Sequence, residues 1–338
     1  MIKYGMIFTI IAYVISFGVT FLLLPLWIRY AKKNKLVGRD MNKNNNVMIP
    51  ESGGIVILVG IFSSLFYYTG VQIFYFKDLH TSLLILGAVL SILCVAIIGA
   101  LDDFRGWKIG LRQSRKALLT IFTAIPFLLV NINRTTIDIP FFGIKDVGLA
   151  FPLLFIPMAI VGASNGFNML AGYNGLEAGM GIIILGTFSF LSYLNSQYFA
   201  AVISLIGLFA LLAFIIYNWY PARIFPGDTM TYSIGAFIAI CAILGRIEKY
   251  ALLLFIPYFI DFLLPLRKKM KVEAFAKVNS DNSFDLPYKS FYDLTHIVIF
   301  LLKKFKKKVY EKDVVLIILG FEVVFGLLCI VIACISKG

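Results

Sequence analysis

The segment from Asn165 to Gly179 sets three Asn, one Glu and four Gly between two long apolar runs. Amide and carboxylate oxygens are ligands for a hard cation and hydrogen-bond partners for a nucleotide or a sugar. The glycines let a ligand come close to the backbone. Polar side chains in apolar surroundings are costly unless something pairs with them, so this segment reads as one wall of a site. Three other segments carry the same chemistry. Asp102 and Asp103 stand side by side at the end of an apolar run, Glu51 sits within Pro50 to Gly54, and Asp228 closes the stretch that begins at Asn218.

Two adjacent carboxylates repel by roughly 4 kcal/mol at 4 Å in a medium of effective dielectric about 20. A divalent cation or a basic partner relieves that, and Arg105, Lys108 and Lys116 follow closely. Cys94, Cys241, Cys329 and Cys334 lie inside apolar runs with neither zinc spacing nor a disulfide framework, and His80 and His296 are isolated. An oxygen-only donor set favours Mg²⁺, with Mn²⁺ as the alternative, over zinc. Mg²⁺ usually takes one or two protein ligands and completes its shell with substrate phosphates. Such an ion, basic residues and a lipid edge together point to phosphoryl transfer between a soluble phosphate ester and a lipid.

The chain that must position these groups has 338 residues, 60% hydrophobic and 14% charged, with a mean hydropathy of +0.90. Soluble domains carry about 25% charged residues. The chain reads as a single all-α polytopic domain in the lipid bilayer over residues 1–338. A span needs roughly 20 apolar residues. Ten are expected, at about 6–28, 53–76, 81–101, 117–132, 149–168, 179–194, 199–217, 230–245, 250–266 and 314–335. The run from Met6 to Ile28 is too long for a signal-peptide core and lacks a small-residue cleavage site, so it is expected as the first span rather than a cleaved leader. No internal repeat is visible.

Twenty-four of the 31 Lys and Arg follow the first, third, seventh and ninth expected spans. By the positive-inside rule that side is cytoplasmic and both termini face out. The net charge of +13 is read mainly as this topology signal, with attraction of anionic substrates as the sharper reading; no nucleic-acid partner is expected. The same topology puts Glu51, Asp102, Asp103, Asn168, Asn174, Glu177 and Asp228 on the cytoplasmic rim. The last inner segment, 267–312, is a basic loop. Its apolar stretch from Leu294 to Leu302 is too short to span and is expected as an interfacial or re-entrant helix, followed by lysines at 303–308.

Each group also has a plainer reading. Asn165 and Asn168 share a helix face and could serve interhelical hydrogen bonds, Asn165 more than Asn168. Asp228 could be a helix N-cap. Asp261 and Glu322 lie within spans, where carboxylates are functional suspects by default. Asp261 is near the cytoplasmic end, and Glu322 has no assigned role.

Four segments together resemble, in order, the cytoplasmic signature loops of the polyprenyl-phosphate N-acetylhexosamine-1-phosphate transferase family. They are 49–54, 99–103, 165–179 and 218–229. The resemblance covers roughly residues 10 to 265, and the third and fourth segments are most similar to the eukaryotic and archaeal branch. The family's ten helices with both termini outside agree with the charge count. The resemblance implies Asn168 and Asp228 as Mg²⁺ ligands. It implies Asp102 and Asp103 as the aspartate pair near the metal and the lipid phosphate, and Lys116 as a phosphate contact. Gly172, Asn174 and Glu177 match the uridine-binding loop, Glu51 an acidic position near the sugar-nucleotide pocket, and Arg223 a further substrate contact. The bacterial branches carry a His-rich motif after the ninth span; here only His296 stands there, which leaves the pyrophosphate contacts unassigned, with Arg267, Lys268 and Lys271 as candidates.

The resemblance implies transfer of GlcNAc-1-phosphate from UDP-GlcNAc to dolichyl (polyprenyl) phosphate, with release of UMP, and the capacity to form a homodimer. Two other readings stay open. One is the same chemistry on another UDP-N-acetylhexosamine or on undecaprenyl phosphate. The other is a transporter, which would place polar residues at mid-membrane in several spans rather than on one rim.

Overall fold

A backbone in hydrocarbon must satisfy its own polar groups, which leaves an apolar chain of this kind the choice of helices or a closed barrel. The computed structural model describes residues 2–105, 113–140 and 142–336, and the choice is helical. In chain order the helices are α1 (Ile2–Lys33), α2 (Gly54–Val71), α3 (Leu79–Arg105), α4 (Gln113–Thr123), α5 (Ile125–Val130), α6 (Ile156–Met169) and α7 (Leu176–Leu194). They continue with α8 (Tyr198–Asn218), α9 (Gly227–Gly245), α10 (Glu248–Leu254), α11 (Ile256–Leu266), α12 (Leu294–Lys303) and α13 (Glu311–Ile335). Wider π turns extend α2 through Phe76 and precede α6 from Phe151.

Three short antiparallel hairpins lie outside the bundle. They are β1 (Val37–Arg39) with β2 (Met48–Pro50), β3 (Thr136–Ile139) with β4 (Gly143–Asp146), and β5 (Lys277–Val278) with β6 (Phe284–Asp285). The protein is an all-α, multi-pass membrane protein. Among the described residues eight helices are long and apolar enough to cross a membrane, or nine if the bent pair α10–α11 is one span.

That differs from ten expected straight spans in two places, and proline is the reason in both. The expected span at 117–132 is two short helices, α4 and α5, with Pro126 in the first turn of the second. The expected span at 250–266 bends by 54° between α10 and α11, where Pro257 opens the second helix. Proline has no N–H to bond the preceding turn, and its ring crowds the carbonyl four residues back. The short helix expected near 294–302 is α12.

The centre of the bundle is α9, in which every residue from Thr229 to Gly245 is buried. A helix this apolar and small on all sides belongs inside a bundle, and α9 packs against α2, α3, α6, α7 and α8. Lipid offers no hydrophobic drive between helices, so close backbone contact has to hold them. Glycines supply it. A Cβ at Gly99 of α3 would lie 2.6 Å from the Asp228 carbonyl oxygen, and one at Gly54 of α2 or Gly235 of α9 would collide with the backbone of Met230 or Ala163. Two of these contacts, at Gly54 and Gly99, lie at the first turn of α9, the turn that carries Asp228.

Candidate active site

At that end of the bundle a cavity of about 420 Å³ is lined by Glu51, Asn168, Gly172, Asn174, Glu177 and Asp228. Six of the ten residues expected at a site thus line one space. Asp102, Asp103 and Lys116 stand behind Asp228 rather than in the cavity wall. Arg223 is not brought in; it lines a second cavity with Arg29 and Lys32. Arg223, expected as a substrate contact, is thus not among the residues that line the cavity of Asp228. The turn after α8 folds back on the helix, with the Arg223 N–H donating to the Tyr217 carbonyl at 2.8 Å. The Phe225 N–H donates to Pro50 at 2.7 Å, so Pro50 lies between the two cavities.

Asp103 is fully engaged in structure. Its Oδ1 accepts the Asp228 N–H at 2.6 Å, and its Oδ2 accepts the Thr229 N–H at 3.2 Å and the Thr229 hydroxyl at 2.6 Å. It is the cap of α9, supplied by α3, at the end where a helix dipole favours negative charge. Asp228, read from sequence as a candidate N-cap of its own helix, instead lies in the first turn with its carboxylate free to meet Lys116. The Lys116 ammonium donates to Asp102 Oδ2 at 2.6 Å and also to Asp228 Oδ2. One buried ammonium thus bridges two carboxylates that approach each other from α3 and α9, and offsets one of their two charges. The side chain of Arg105, and Lys108 and Arg112, lie outside the described residues.

Asn168 is held one turn along α9, where its Oδ1 accepts the Thr231 hydroxyl at 2.6 Å. Asn165 has a structural role: its amide donates to Val161 O at 2.8 Å and its oxygen accepts the Tyr232 hydroxyl at 3.3 Å. The oxygens of Asn168 and Asp228 on one cavity wall are a donor set that suits a hard cation. Among the described residues no group of three or more His, Cys, Asp or Glu is placed to hold a metal. A cation there would need ligands from substrate, which is the habit of Mg²⁺.

The loop between α6 and α7 is fixed by its own carboxylate and by α13. Gly172 has φ +103°, a conformation open to glycine, and its N–H donates to Glu177 Oε1 at 2.7 Å. Phe275, from the 267–312 segment, covers it at a distance that leaves no comfortable room for a Cβ. Glu311, the first residue of α13, accepts the Asn174 N–H at 2.8 Å and the Asn42 amide at 3.3 Å, and pairs with Lys43. Asn42 also donates to Gly172 O at 2.6 Å. At the other end, Gly175 N–H donates to Asn218 Oδ1 at 3.2 Å.

Glu51 lies outside the helices. Burial, then the nearby Asp103 charge, pushes its carboxyl from 4.5 up to about 7.

Several of these residues escaped the sequence reading. Arg39 lines the cavity, yet it counted only as a topology charge. Asn42 and Glu311 lie outside every signature segment, and Thr231 stands two residues past the end of the last one. Arg267, a candidate for pyrophosphate, donates instead to Phe291 O at 2.6 Å. His296 is buried, with Nε2 3.1 Å from Ala274 O, so it braces the strand of chain that carries Phe275. Asp261 accepts the Leu294 N–H at 2.9 Å and fastens α12 to α11. Glu322 is fully buried away from the cavity and has no hydrogen-bond partner among the described residues.

Residues 85–246, which include every element from α4 to α9, match the family described as Glycosyl transferase family 4. A protein of Saccharolobus solfataricus, provisionally named UDP-N-acetylglucosamine–dolichyl-phosphate N-acetylglucosaminephosphotransferase, is 37% identical over 320 residues, 94% of each chain. The chain belongs to the polyprenyl-phosphate N-acetylhexosamine-1-phosphate transferase family. Within this family, the Dictyostelium discoideum protein of the same name is 29% identical over 289 residues, 73% of this chain and 70% of its own. Phospho-N-acetylmuramoyl-pentapeptide-transferase of Streptococcus equi subsp. zooepidemicus is 33% identical over 269 residues, 76% of this chain and 78% of its own. The alignment with the Saccharolobus relative is long enough to take in Arg39, Glu51 and Glu311, which lie outside the family match.

Proposed function

We propose that the protein transfers GlcNAc-1-phosphate from UDP-GlcNAc to dolichyl or another polyprenyl phosphate at the cytoplasmic face, giving lipid-diphosphate-GlcNAc and UMP. The observation that carries this reading is the cavity at the first turn of α9, where Asp228, Asn168 and the Gly172–Glu177 loop meet beside a buried Lys116. The near full-length similarity to a relative named for this reaction supports it.

The uridine end of the donor lies along Gly172, Asn174 and Glu177, and Arg39 meets the pyrophosphate. Asn168 and Asp228 would hold Mg²⁺, with Mn²⁺ as a substitute; when bound, it neutralises charge that develops on the pyrophosphate oxygens. The lipid phosphate approaches from the Asp102–Lys116 side, next to the exposed apolar face of α4 formed by Leu118, Leu119 and Phe122. One of its oxygens attacks the β-phosphorus. That P–O bond forms as the bond to the α-phosphate oxygen breaks, and UMP leaves with the electron pair. A phosphate monoester is largely dianionic at neutral pH, with a second pKa of about 6, so the step needs no strong base. Asp102 then orients Lys116 rather than removing a proton.

Undecaprenyl phosphate remains the second reading for the acceptor because of the similarity to the streptococcal transferase. The single His296 after α11, in place of the His-rich motif of the bacterial branches, favours the first. The test is UMP release by purified protein. Release should require a UDP-sugar and a polyprenyl phosphate together, be fastest with UDP-GlcNAc, and stop with a chelator. UMP release without acceptor lipid, or none with any UDP-N-acetylhexosamine, would reject the reading.

A further inference from the structure

The second cavity has the same volume, about 420 Å³, and is bounded by the last turns of α1, by β2 and by the turn after α8. Its charged lining is Arg29, Lys32 and Arg223, and none of the lining residues is acidic. Among the described residues none of the three cations is ion-paired. Three like charges around one concavity repel unless an anion sits among them. Next in sequence to the lining residues Pro25 and Tyr217, α1 and α8 carry exposed apolar side chains. Leu22 and Leu26 of α1 are 69% and 58% exposed, and Ile216 of α8 is 51% exposed. The rings of Phe21 of α1 and Tyr217 of α8 pack against each other, 5.6 Å apart.

We propose that this cavity binds the phosphate headgroup of an anionic phospholipid, with Arg29, Lys32 and Arg223 on the phosphate and an acyl chain along Leu22, Leu26 and Ile216. The charge arrangement selects the headgroup: a neutral lipid would leave the three cations without a partner. The exposed apolar side chains select a lipid over a soluble phosphate ester. Guanidinium groups suit the phosphate because their planar fork bonds two of its oxygens at once. The bound lipid also touches the segment that carries the active site, since Pro50 lines this cavity while the next residue, Glu51, lines the other.

The test is lipid retention by the full chain, read by native mass spectrometry after reconstitution in phosphatidylcholine vesicles with graded phosphatidylglycerol. The wild type should retain phosphatidylglycerol over phosphatidylcholine. Each single change, Arg29→Gln, Lys32→Gln or Arg223→Gln, should weaken retention by about fivefold, the effect of one interfacial cation, and the triple variant should lose the preference. Arg29→Lys with Arg223→Lys keeps the charges and should keep most of it, which separates headgroup binding from general damage to the fold. Equal retention of the two lipids by the wild type, or an unchanged preference in the triple variant, overturns the proposal. So does preferential retention of polyprenyl phosphate with a raised KM for it in neutral vesicles, because the cavity would then belong to the acceptor lipid. Retention is read without turnover, so the result stands apart from the transferase assay.

Discussion

Asp103 of α3 accepts the backbone N–H of Asp228 at 2.6 Å and so fixes the first turn of α9 from a neighbouring helix. The contact joins two of the site's carboxyl residues through one side chain and one main chain, and it gives them different tasks. Replacing Asp103 with Ala removes three acceptor contacts at a helix start. Loss of a cap costs about 1–2 kcal/mol, so Asp103→Ala should lower the unfolding temperature in detergent and also slow transfer. A variant with normal stability would refute the capping role.

Asp228→Asn keeps the shape of that turn, because the backbone contact to Asp103 does not involve the Asp228 side chain. It removes the charge that Lys116 and a divalent cation both require. Transfer should fall by about 10²–10³, the usual loss when one group that stabilises transition-state charge is removed, with little change in unfolding temperature because Lys116 keeps Asp102 as its partner. Near-normal, Mg²⁺-dependent transfer would show that the metal is held elsewhere.

Lys116 lies between Asp102 and Asp228. Breaking a buried pair by removing one partner costs about 3–5 kcal/mol. Lys116→Met should therefore destabilise the protein strongly, and added Mg²⁺ should restore part of the loss by taking the ammonium's place. Thermal unfolding with and without Mg²⁺ measures this; an equal response to Mg²⁺ in wild type and variant would contradict it.

Glu51 provides a pH test. Its carboxyl is raised from 4.5 to about 7 by burial and by Asp103, so the folded state prefers the protonated form. The corresponding stability is fully present below 4.5 and is lost as pH rises through about 7. Glu51→Gln is neutral throughout. Across that window the wild type should lose stability relative to Glu51→Gln, and a difference in unfolding temperature that stays constant with pH would count against the assignment.

Glu311 acts through the nucleotide loop rather than on the reaction. It holds Asn174 N–H and Asn42 while paired with Lys43. Glu311→Gln weakens charged hydrogen bonds, worth about 1.5 kcal/mol or more. KM for UDP-GlcNAc should rise about tenfold with a much smaller change in kcat. A fall in kcat at constant KM would place Glu311 in the chemical step instead.

The amino-acid sequence by itself determined what depends on local composition. Apolar length specified the helices, because a backbone in lipid has few alternatives. The segments around Glu51, Asn168, Asn174, Glu177 and Asp228 could be read as one rim because each interrupts an apolar run at the same end. Proline at 126 and 257 was visible too, but whether it ends, bends or spares a helix depends on what packs around it. Only the tertiary structure decided the partnerships. Asp102 and Asp103 are adjacent in sequence, yet one meets Lys116 and the other caps α9, because successive residues on a helix point about 100° apart. Arg223 sits five residues before Asp228 and belongs to another cavity, because the turn between them folds around Pro50. Glu311 reaches Asn174 across 137 positions. Such contacts are set by how helices approach one another through Gly54, Gly99 and Gly235. That geometry is a property of paired surfaces, and no single stretch of sequence carries it.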